Sequence, residues 1–267
     1  AGYNRREAMI GWAALLMLQA AQPPALPQIQ PPVCGDAEIA EFGLECNIRD
    51  ACNIFLELAG VEEAGGRIFL SGNFHTGAAT LWSLLLVSED EGRTWTEPHP
   101  RLRGIALDDI QFVDAEAGWV SGHVVGALPR DPFLLKTTDG GKTWRRIPVL
   151  EESSYGAIDA FRFESRTQGV LFLQRRGEPR QRYQRWETMT GGDTWMLREA
   201  GPKPFPPLKP RSTGLRIRTD VRARQYLIER DTGKGYAAVA RFPVRFGECR
   251  PDPEPAEPPP SPEAPPP

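Results

Sequence analysis

An eight-residue pattern recurs along this chain, and it limits the possible folds more than any other feature. The best copy is TTDGGKTW, Thr137–Trp144, and SEDEGRTW and TMTGGDTW stand upstream and downstream of it. A weaker fourth copy, ERDTGKGY, has Tyr236 where the others have tryptophan. The copies begin at residues 88, 137, 188 and 229, at intervals of 49, 51 and 41 residues. A period of this length indicates one supersecondary unit that is used several times.

The residues around each octet predict strands. Two short apolar runs joined by a turn precede each copy, as in DDIQFVDAEAGWVSG at 108–122, which is the pattern of a hairpin. The octet then lies between two further apolar runs, as in FLLKTTDGGKTWRRIPV. We find no helical periodicity between Asn53 and Gly247. The unit is therefore four antiparallel strands, and the sequence predicts an all-β fold: a small β-propeller of four or five four-stranded blades, either closed or left as an open arc.

The chemistry of the octet suits a tight corner between two strands. Asp139 can accept backbone N–H bonds within the turn, and Gly141 allows a positive φ. Thr137 can bond across the turn, and Trp144 falls on the next strand, where it can pack between sheets. We interpret these residues as structural and not catalytic. The corner residues are Ser88, Asp90, Gly92 and Trp95; Thr137, Asp139, Gly141 and Trp144; Thr188, Gly192 and Trp195; and Asp231 and Gly233.

The pattern S/T-x-D-x-G-x-T-W resembles the Asp-box, or BNR, repeat of sialidase-type propellers, sortilin-type receptors and photosystem II assembly and stability factors. Two copies match fully, whereas the third has Thr190 in place of the acid. The resemblance covers about residues 54–246, and the run Phe112–Gly122 looks most like the assembly-factor group. It implies a propeller whose octets lie on one rim, with loops for binding on the opposite rim. Those relatives have more blades than four repeats can provide.

The two ends of the chain read differently from the repeats. Arg5 and Arg6 precede the apolar run AMIGWAALLMLQAA, which is short for a bilayer span but suits a signal-peptide core. We expect a signal peptide or membrane anchor at 1–21, a cysteine-containing linker at 22–52, the propeller at 53–249 and a disordered proline-rich tail at 250–267. We interpret the tail as a spacer, the alternative being a ligand for a proline-reading module. The protein is expected to be periplasmic or secreted, with a possible membrane tether.

Four cysteines are present: Cys34, Cys46, Cys52 and Cys249. Their spacing matches no zinc or haem motif, and an even number after an export signal favours disulfides. Three pairings are possible. Because Cys249 follows the last repeat and Cys52 precedes the first, we predict that Cys249 bonds to Cys52 or Cys46 and helps to close the ring. No metal site and no cofactor are expected, and three histidines make a poor metal set.

Charge is distributed unevenly although the formal net charge is only −3. Residues 36–160 hold 21 acidic and 10 basic residues, whereas residues 161–230 hold 7 and 16. The small net charge gives no indication of a nucleic-acid partner. The basic half is densest in RRGEPRQRYQR at 175–185, a predicted loop between the second and third strands of its blade. Arginine and aromatic residues suit protein interfaces. The predicted partner-binding residues are Arg175, Arg176, Arg180, Arg182, Tyr183, Arg185 and His123.

Catalytic signatures are weak. The RIP triplet at Arg146–Pro148 follows the second octet, whereas the sialidase resemblance would require it before the first. Asp108 and Asp109 open a strand, but no partner acid can be identified for them. We therefore predict a non-catalytic extracytoplasmic scaffold, accessory subunit or assembly factor that binds a membrane-associated protein complex. The alternative is a glycan-binding protein or sialidase-like glycoside hydrolase.

Overall fold

Four antiparallel sheets make up almost all of the regular secondary structure in the described residues. The computed structural model describes residues 29–209, 211 and 213–253, in which a helix, α1 (Asp36–Phe42), precedes fifteen strands. The first sheet contains β1 (Cys52–Ala64), β2 (Arg67–His75), β3 (Thr80–Ser88) and β15 (Arg245–Cys249). The second contains β4 (Ile105–Phe112), β5 (Gly118–Val124), β6 (Arg130–Thr137) and β7 (Arg145–Pro148). The third contains β8 (Gly156–Phe163), β9 (Gly169–Arg175), β10 (Tyr183–Thr188) and β11 (Met196–Gly201), and the fourth contains β12 (Leu215–Asp220), β13 (Gln225–Asp231) and β14 (Tyr236–Pro243).

The predicted four-stranded unit is seen most clearly in the second and third sheets, whose strands pair in chain order. The first strand of each of the first three sheets carries a register shift, so that one or two residues bulge from the ladder. The β2 and β3 strands are buried almost throughout because they are covered on both faces. The all-β prediction is therefore correct.

Neighbouring sheets pack their apolar faces against each other at three interfaces. One cluster of buried side chains joins the fourth sheet to the first, a second joins the first to the second, and a third joins the second to the third. The inner strands β1, β4, β8 and β12 all line one central cavity. This arrangement is that of a β-propeller. Aromatic pairs mark the three interfaces: Trp95–Phe242, Phe69–Phe112 and Trp119–Phe163, with ring centroids 5.4, 4.5 and 3.7 Å apart.

Three octets form the expected corners between the third strand of a sheet and the segment that follows it. In the first two, an aspartate accepts the hydroxyl and the backbone N–H of the threonine four residues later. In the third, Thr190 replaces the acid and its Oγ1 accepts the backbone N–H of Thr194 at 2.9 Å. Gly92 and Gly141 have positive φ and lie against a neighbouring sheet: an added Cβ would stand 3.0 Å from the carbonyl oxygen of Val239 at Gly92 and 2.6 Å from the Phe69 ring at Gly141.

The fourth octet does not form such a corner. It is the turn between β13 and β14, the second and third strands of its sheet. Asp231 accepts only the backbone N–H of Gly233, at 2.8 Å, and Tyr236 is 48% exposed. The shorter interval of 41 residues agrees with this position, because two described strands of the fourth sheet precede the turn, whereas three strands precede each of the other corners.

Gln111 shows how neighbouring sheets are joined near the axis. Its amide Nε2 donates to the carbonyl oxygen of Phe163 at 2.6 Å, and its Oε1 accepts the N–H of Phe163 at 2.9 Å. Both groups are buried, so this side chain satisfies backbone polar groups that water does not reach. The corresponding positions of the first and third sheets, read from the register with the second strand, are Glu62 and Arg162.

At these two positions, which lack a glutamine, residues of a proline-rich segment form the hydrogen bonds instead. Glu62 has no N–H to donate, and Arg211 takes that part: its Nη1 donates to Glu62 Oε2 at 2.9 Å and its Nη2 to the carbonyl oxygen of Phe112 at 2.7 Å. In the third sheet, Arg162 donates to the carbonyl oxygen of Lys209. The third sheet lacks comparable packing against the fourth in the described residues. The described sheets therefore form an open arc, and the segment between β11 and β12 crosses its gap near the axis.

The cysteine pairing differs from the prediction. Cys249 bonds to Cys34, and Cys46 bonds to Cys52, so the predicted bond from Cys249 to Cys52 or Cys46 is wrong. Cys52 and Cys249 do face each other across the β1–β15 ladder. The last strand is thus held to the first sheet by backbone hydrogen bonds. Cys46 reaches Cys52 through a short turn instead, with their Cα atoms 5.3 Å apart.

The segment before β1 is more ordered than a plain linker. Ile29 and Leu44 are buried against the first and fourth sheets, and α1 presents Glu38 and Glu41 to Arg103 at 2.9 and 2.7 Å. The predicted signal segment at 1–21 and nearly all of the proline-rich tail lie outside the described residues. Within the described residues, no helix is long and apolar enough to cross a membrane.

Candidate docking surface and central cavity

The predicted arginine-rich loop joins β9 to β10 on the rim opposite the octets. The loop is closed by the backbone N–H of Arg175, which donates to the carbonyl oxygen of Arg182 at 2.8 Å, and it contains a short 3-10 turn at Pro179–Gln181. Gly177 adopts a φ of 90°, which suits glycine at the tip of a tight loop. The loop is therefore built and positioned by its own backbone.

Four arginines of this loop lack carboxylate partners. Within the described residues, no ion pair is formed by Arg175, Arg176, Arg180 or Arg182. Arginines elsewhere in the protein form most of its ion pairs. The Arg182 guanidinium lies 5.6 Å from the centre of the Tyr183 ring. An uncompensated group of guanidinium ions attracts carboxylates or phosphates.

Two of the predicted partner-binding residues lie elsewhere. Arg185 is on β10 and pairs with Glu187 at 2.7 Å, so it belongs to the sheet and not to the loop. His123 is the penultimate residue of β5, and its Nδ1 lies 3.1 Å from Asp108 Oδ2. No group of histidine, cysteine and acidic residues in the described residues could hold a metal ion.

Two exposed residues beside the loop, Tyr155 and Leu128, were not predicted from the sequence. The backbone N–H of Arg176 donates to the carbonyl oxygen of Tyr155 at 3.0 Å, and Tyr155 pairs with Arg130 in an isolated bridge. Tyr155 is 55% exposed and Leu128, in the neighbouring loop of the second sheet, is 43% exposed. Both come from connecting segments with no periodic pattern, so only the tertiary structure shows that they share a surface with the arginines. We call Leu128, Tyr155, Arg175, Arg176, Arg180 and Arg182 the basic rim.

A cavity of about 630 Å³ lies on the axis of the arc. Its walls are the inner strands and the segment that crosses the gap, in which Phe205 packs on Phe172 with ring centroids 5.1 Å apart. Glu62, Asp109 and Asp159 all line it, and Glu62 of the first sheet is the acid whose charge interacts with that of Asp109. Nothing in the sequence indicated that Glu62 and Asp109 share a cavity, because they are 47 residues apart in the chain.

Two of the acids that line the cavity, Glu62 and Asp109, have pKa values shifted in the same direction. Burial raises the pKa of Glu62 from 4.5 to about 7, even though Arg211 and the backbone of Phe112 oppose the change. Burial also raises the pKa of Asp109, while the backbone N–H of Ile110 and Arg211 oppose it. Carboxyl groups with raised pKa values in a cavity can donate or accept protons near neutral pH.

The sequence matches no protein-family model and no curated protein. Several solved structures resemble the fold. YCF48 bound to a D1 peptide is 16% identical, with 74% of this chain and 52% of that chain covered and a TM-score of 0.38. YCF48 from Cyanidioschyzon merolae is 17% identical, with 70% and 56% covered and a TM-score of 0.36. The GH74 xyloglucanase from Xanthomonas campestris is 22% identical, with 49% and 18% covered and a TM-score of 0.38. The chain spans less than two thirds of the length of each.

Proposed function

We propose that the protein is a non-catalytic, extracytoplasmic docking protein: a scaffold, accessory subunit or assembly factor of a membrane-associated protein complex. The basic rim carries this proposal. It combines four arginines that form no ion pair with described residues with an exposed tyrosine and leucine, which is the composition of a protein interface. The two disulfides are compatible with an oxidising compartment.

The partner is expected to present an acidic surface with an apolar residue at its centre. Arginine forks on a rigid loop recognise carboxylates bidentately, and steering by the uncompensated charge raises the rate of association. Binding should therefore weaken as ionic strength increases. A partner without acidic groups would gain nothing from this loop.

The experiment is a pull-down of the full chain from native membranes, with identification of the proteins that come with it. The variant changes Arg175, Arg176, Arg180 and Arg182 to glutamate and should lose the complex. The matched control changes Arg49 and Arg222, two exposed arginines away from the basic rim, to glutamate and should keep it. Retention of the complex by the four-residue variant, with an unchanged melting temperature, would refute docking through the basic rim.

The second candidate is glycoside hydrolysis, which the central cavity favours. Glu62, with its pKa raised to about 7, and Asp109 line the same space, and a protonated carboxylic acid is what a glycosidase needs as general acid. Turnover of fluorogenic glycosides, including a sialoside, by the full chain and its loss in Glu62→Gln would establish this candidate. Absence of turnover across the panel would remove it.

A further inference from the structure

The segment that crosses the gap is held by side chains and not by a backbone ladder. We call its described residues, 202–209, 211 and 213, the strap. None of them forms a backbone–backbone hydrogen bond with another described residue. Four of them are proline, which has no N–H to donate: Pro202, Pro204, Pro206 and Pro207. A few side-chain contacts therefore decide whether the strap stays at the axis.

Two contacts of the strap contain no group that titrates near neutral pH. Phe205 packs on Phe172 with ring centroids 5.1 Å apart, and the Arg162 guanidinium donates to the carbonyl oxygen of Lys209. Arginine stays charged throughout the neutral range, so both contacts are insensitive to pH there. Both also precede Arg211 in the chain, so the strap can release Arg211 and remain tethered beside β11.

The contact of Arg211 replaces an amide. In the second sheet, Gln111 both accepts the N–H of Phe163 and donates to its carbonyl oxygen. The Glu62 carboxyl likewise accepts the backbone N–H of Phe112, but the Phe112 carbonyl oxygen receives Arg211 Nη2 at 2.7 Å instead. An ionised carboxylate can only accept hydrogen bonds, whereas a protonated one also has an O–H to donate. Protonated Glu62 can therefore make both of the bonds that Gln111 makes.

We propose that proton uptake by Glu62 releases the strap from the axis and opens the central cavity towards the gap. The proton comes from solvent and binds a carboxylate oxygen of Glu62, whose O–H then donates to the Phe112 carbonyl oxygen in place of Arg211 Nη2. The ion pair of 2.9 Å between Arg211 Nη1 and Glu62 Oε2 is lost in the same step. The strap is thus held by ionised Glu62 and released by protonated Glu62.

The surroundings of Glu62 place this change near neutral pH. Burial raises the pKa of Glu62 to about 7; Arg211 opposes the increase and the charge of Asp109 adds to it. Because Arg211 lowers the pKa, the ionised form of Glu62 binds Arg211 more tightly than the protonated form does. The contribution of this contact is therefore present above about pH 7 and is lost as the pH falls through that value.

The other groups that face Glu62 belong to the walls of the cavity. Three of them are charged: Asp159 and Arg162 of β8, and Lys209 of the strap. The β12 strand contributes Leu215 and Ile217, which are uncharged. The next residue along β1, Glu63, is paired with Arg230 of the fourth sheet and does not line the cavity. Glu63 is therefore a matched control for Glu62.

The test is limited digestion of the full chain with trypsin. The bond after Arg211 is the one tryptic bond of the strap, because Lys203 and Lys209 each precede proline and trypsin does not cleave Lys–Pro bonds. Cleavage there requires the guanidinium to leave Glu62 and enter the protease. Mass spectrometry measures its rate relative to cleavage after Lys234, an exposed residue of the turn between β13 and β14.

The first comparison is made at a single pH, about 8, where wild-type Glu62 is ionised. Glu62→Gln resembles the protonated side chain and should increase the relative rate of cleavage after Arg211 about tenfold. Glu63→Gln should leave this rate unchanged. Arg211→Lys keeps a tryptic bond and an intact Glu62, but an ammonium group cannot bond two acceptors as the planar fork does, so its relative rate should also be high.

The second comparison follows the pH dependence, and the ratio of two cleavage rates cancels that of trypsin itself. The wild-type ratio should rise as the pH is lowered from about 8 to about 5.5, whereas the ratios of Glu62→Gln and Arg211→Lys should be high and constant. Equal ratios in wild type and both variants at about pH 8, or a wild-type ratio that stays constant or falls on acidification, would overturn the proposal. The readout is a peptide bond of the strap, so it is independent of docking through the basic rim and of glycoside turnover.

Discussion

The corner formed by the second octet gives a quantitative test at Asp139. Its carboxylate accepts four hydrogen bonds: from Thr137 Oγ1 at 2.8 Å, from Lys142 N at 3.1 Å, and from Thr143 N and Oγ1 at 3.0 and 2.6 Å. Each bond contributes a net of about 0.5–1.5 kcal/mol, and exposure to water favours the lower end of that range. Asp139→Ala should therefore lower the free energy of unfolding by about 2–3 kcal/mol, measured by urea denaturation.

The fourth octet provides the matched control. Asp231 accepts one bond, from Gly233 N at 2.8 Å, and it lies in a simple hairpin turn. Asp231→Ala should cost only about 0.5–1 kcal/mol. If the two variants differ by less than about 1 kcal/mol, the aspartates of the octets do not hold corners in the way described.

The pH dependence isolates the charge of Asp139. Hydrogen bonds from the hydroxyl and the backbone N–H of Thr143 lower the pKa of this carboxyl from 3.8 to about 2. A lowered folded-state pKa adds stability that is present above 3.8 and is lost as the pH falls through about 2. The difference between wild type and Asp139→Ala should accordingly shrink on acidification. A difference that stays constant from about pH 6 to about pH 2 would show that the ionised carboxylate is not responsible.

Three further predictions concern the axis and the ends of the chain. Gln111→Ala leaves two buried backbone groups of Phe163 without partners and should cost about 2–4 kcal/mol in urea denaturation; a loss below about 1 kcal/mol would contradict this role. Because the pKa of Glu62 is raised to about 7, its protonated form adds stability that is complete below 4.5 and lost as the pH rises through about 7; Glu62→Gln should flatten the stability profile across that window, and an unchanged profile would contradict the shift. Replacing Cys34 and Cys249 with serine opens a loop of 215 residues and should cost about 5 kcal/mol in the chain-entropy description, which unfolding of the variant beside wild type would measure.

Regular spacing made the sheets predictable. Octets at nearly equal intervals, each preceded by a hairpin pattern, indicated the strands of the first three sheets, and the structure contains them. The fourth octet misled because a turn of similar composition serves a different pair of strands. Its shorter interval was the available sign that one strand is missing.

The sites were less predictable than the sheets because they join residues distant in sequence. The arginine-rich loop was visible as composition, yet Tyr155 and Leu128 share its surface only through the packing of the second and third sheets. Glu62 and Arg211 are 149 residues apart, and no local pattern relates them. The disulfide pairing likewise depends on how the segment before β1 folds back onto the sheets, where Glu38 and Glu41 of α1 pair with Arg103.

The bond between Cys34 and Cys249 determines how the protein responds to mechanical force. If one end of the chain is anchored and the other is pulled, tension passes from residue 34 to residue 249 through sulfur, over a Cα separation of 4.6 Å. The sheets between them lie outside the line of force and keep their shape under traction. Chemical reduction would remove this bypass, and the same pull would then peel β15 from β1 before it reached the remaining strands.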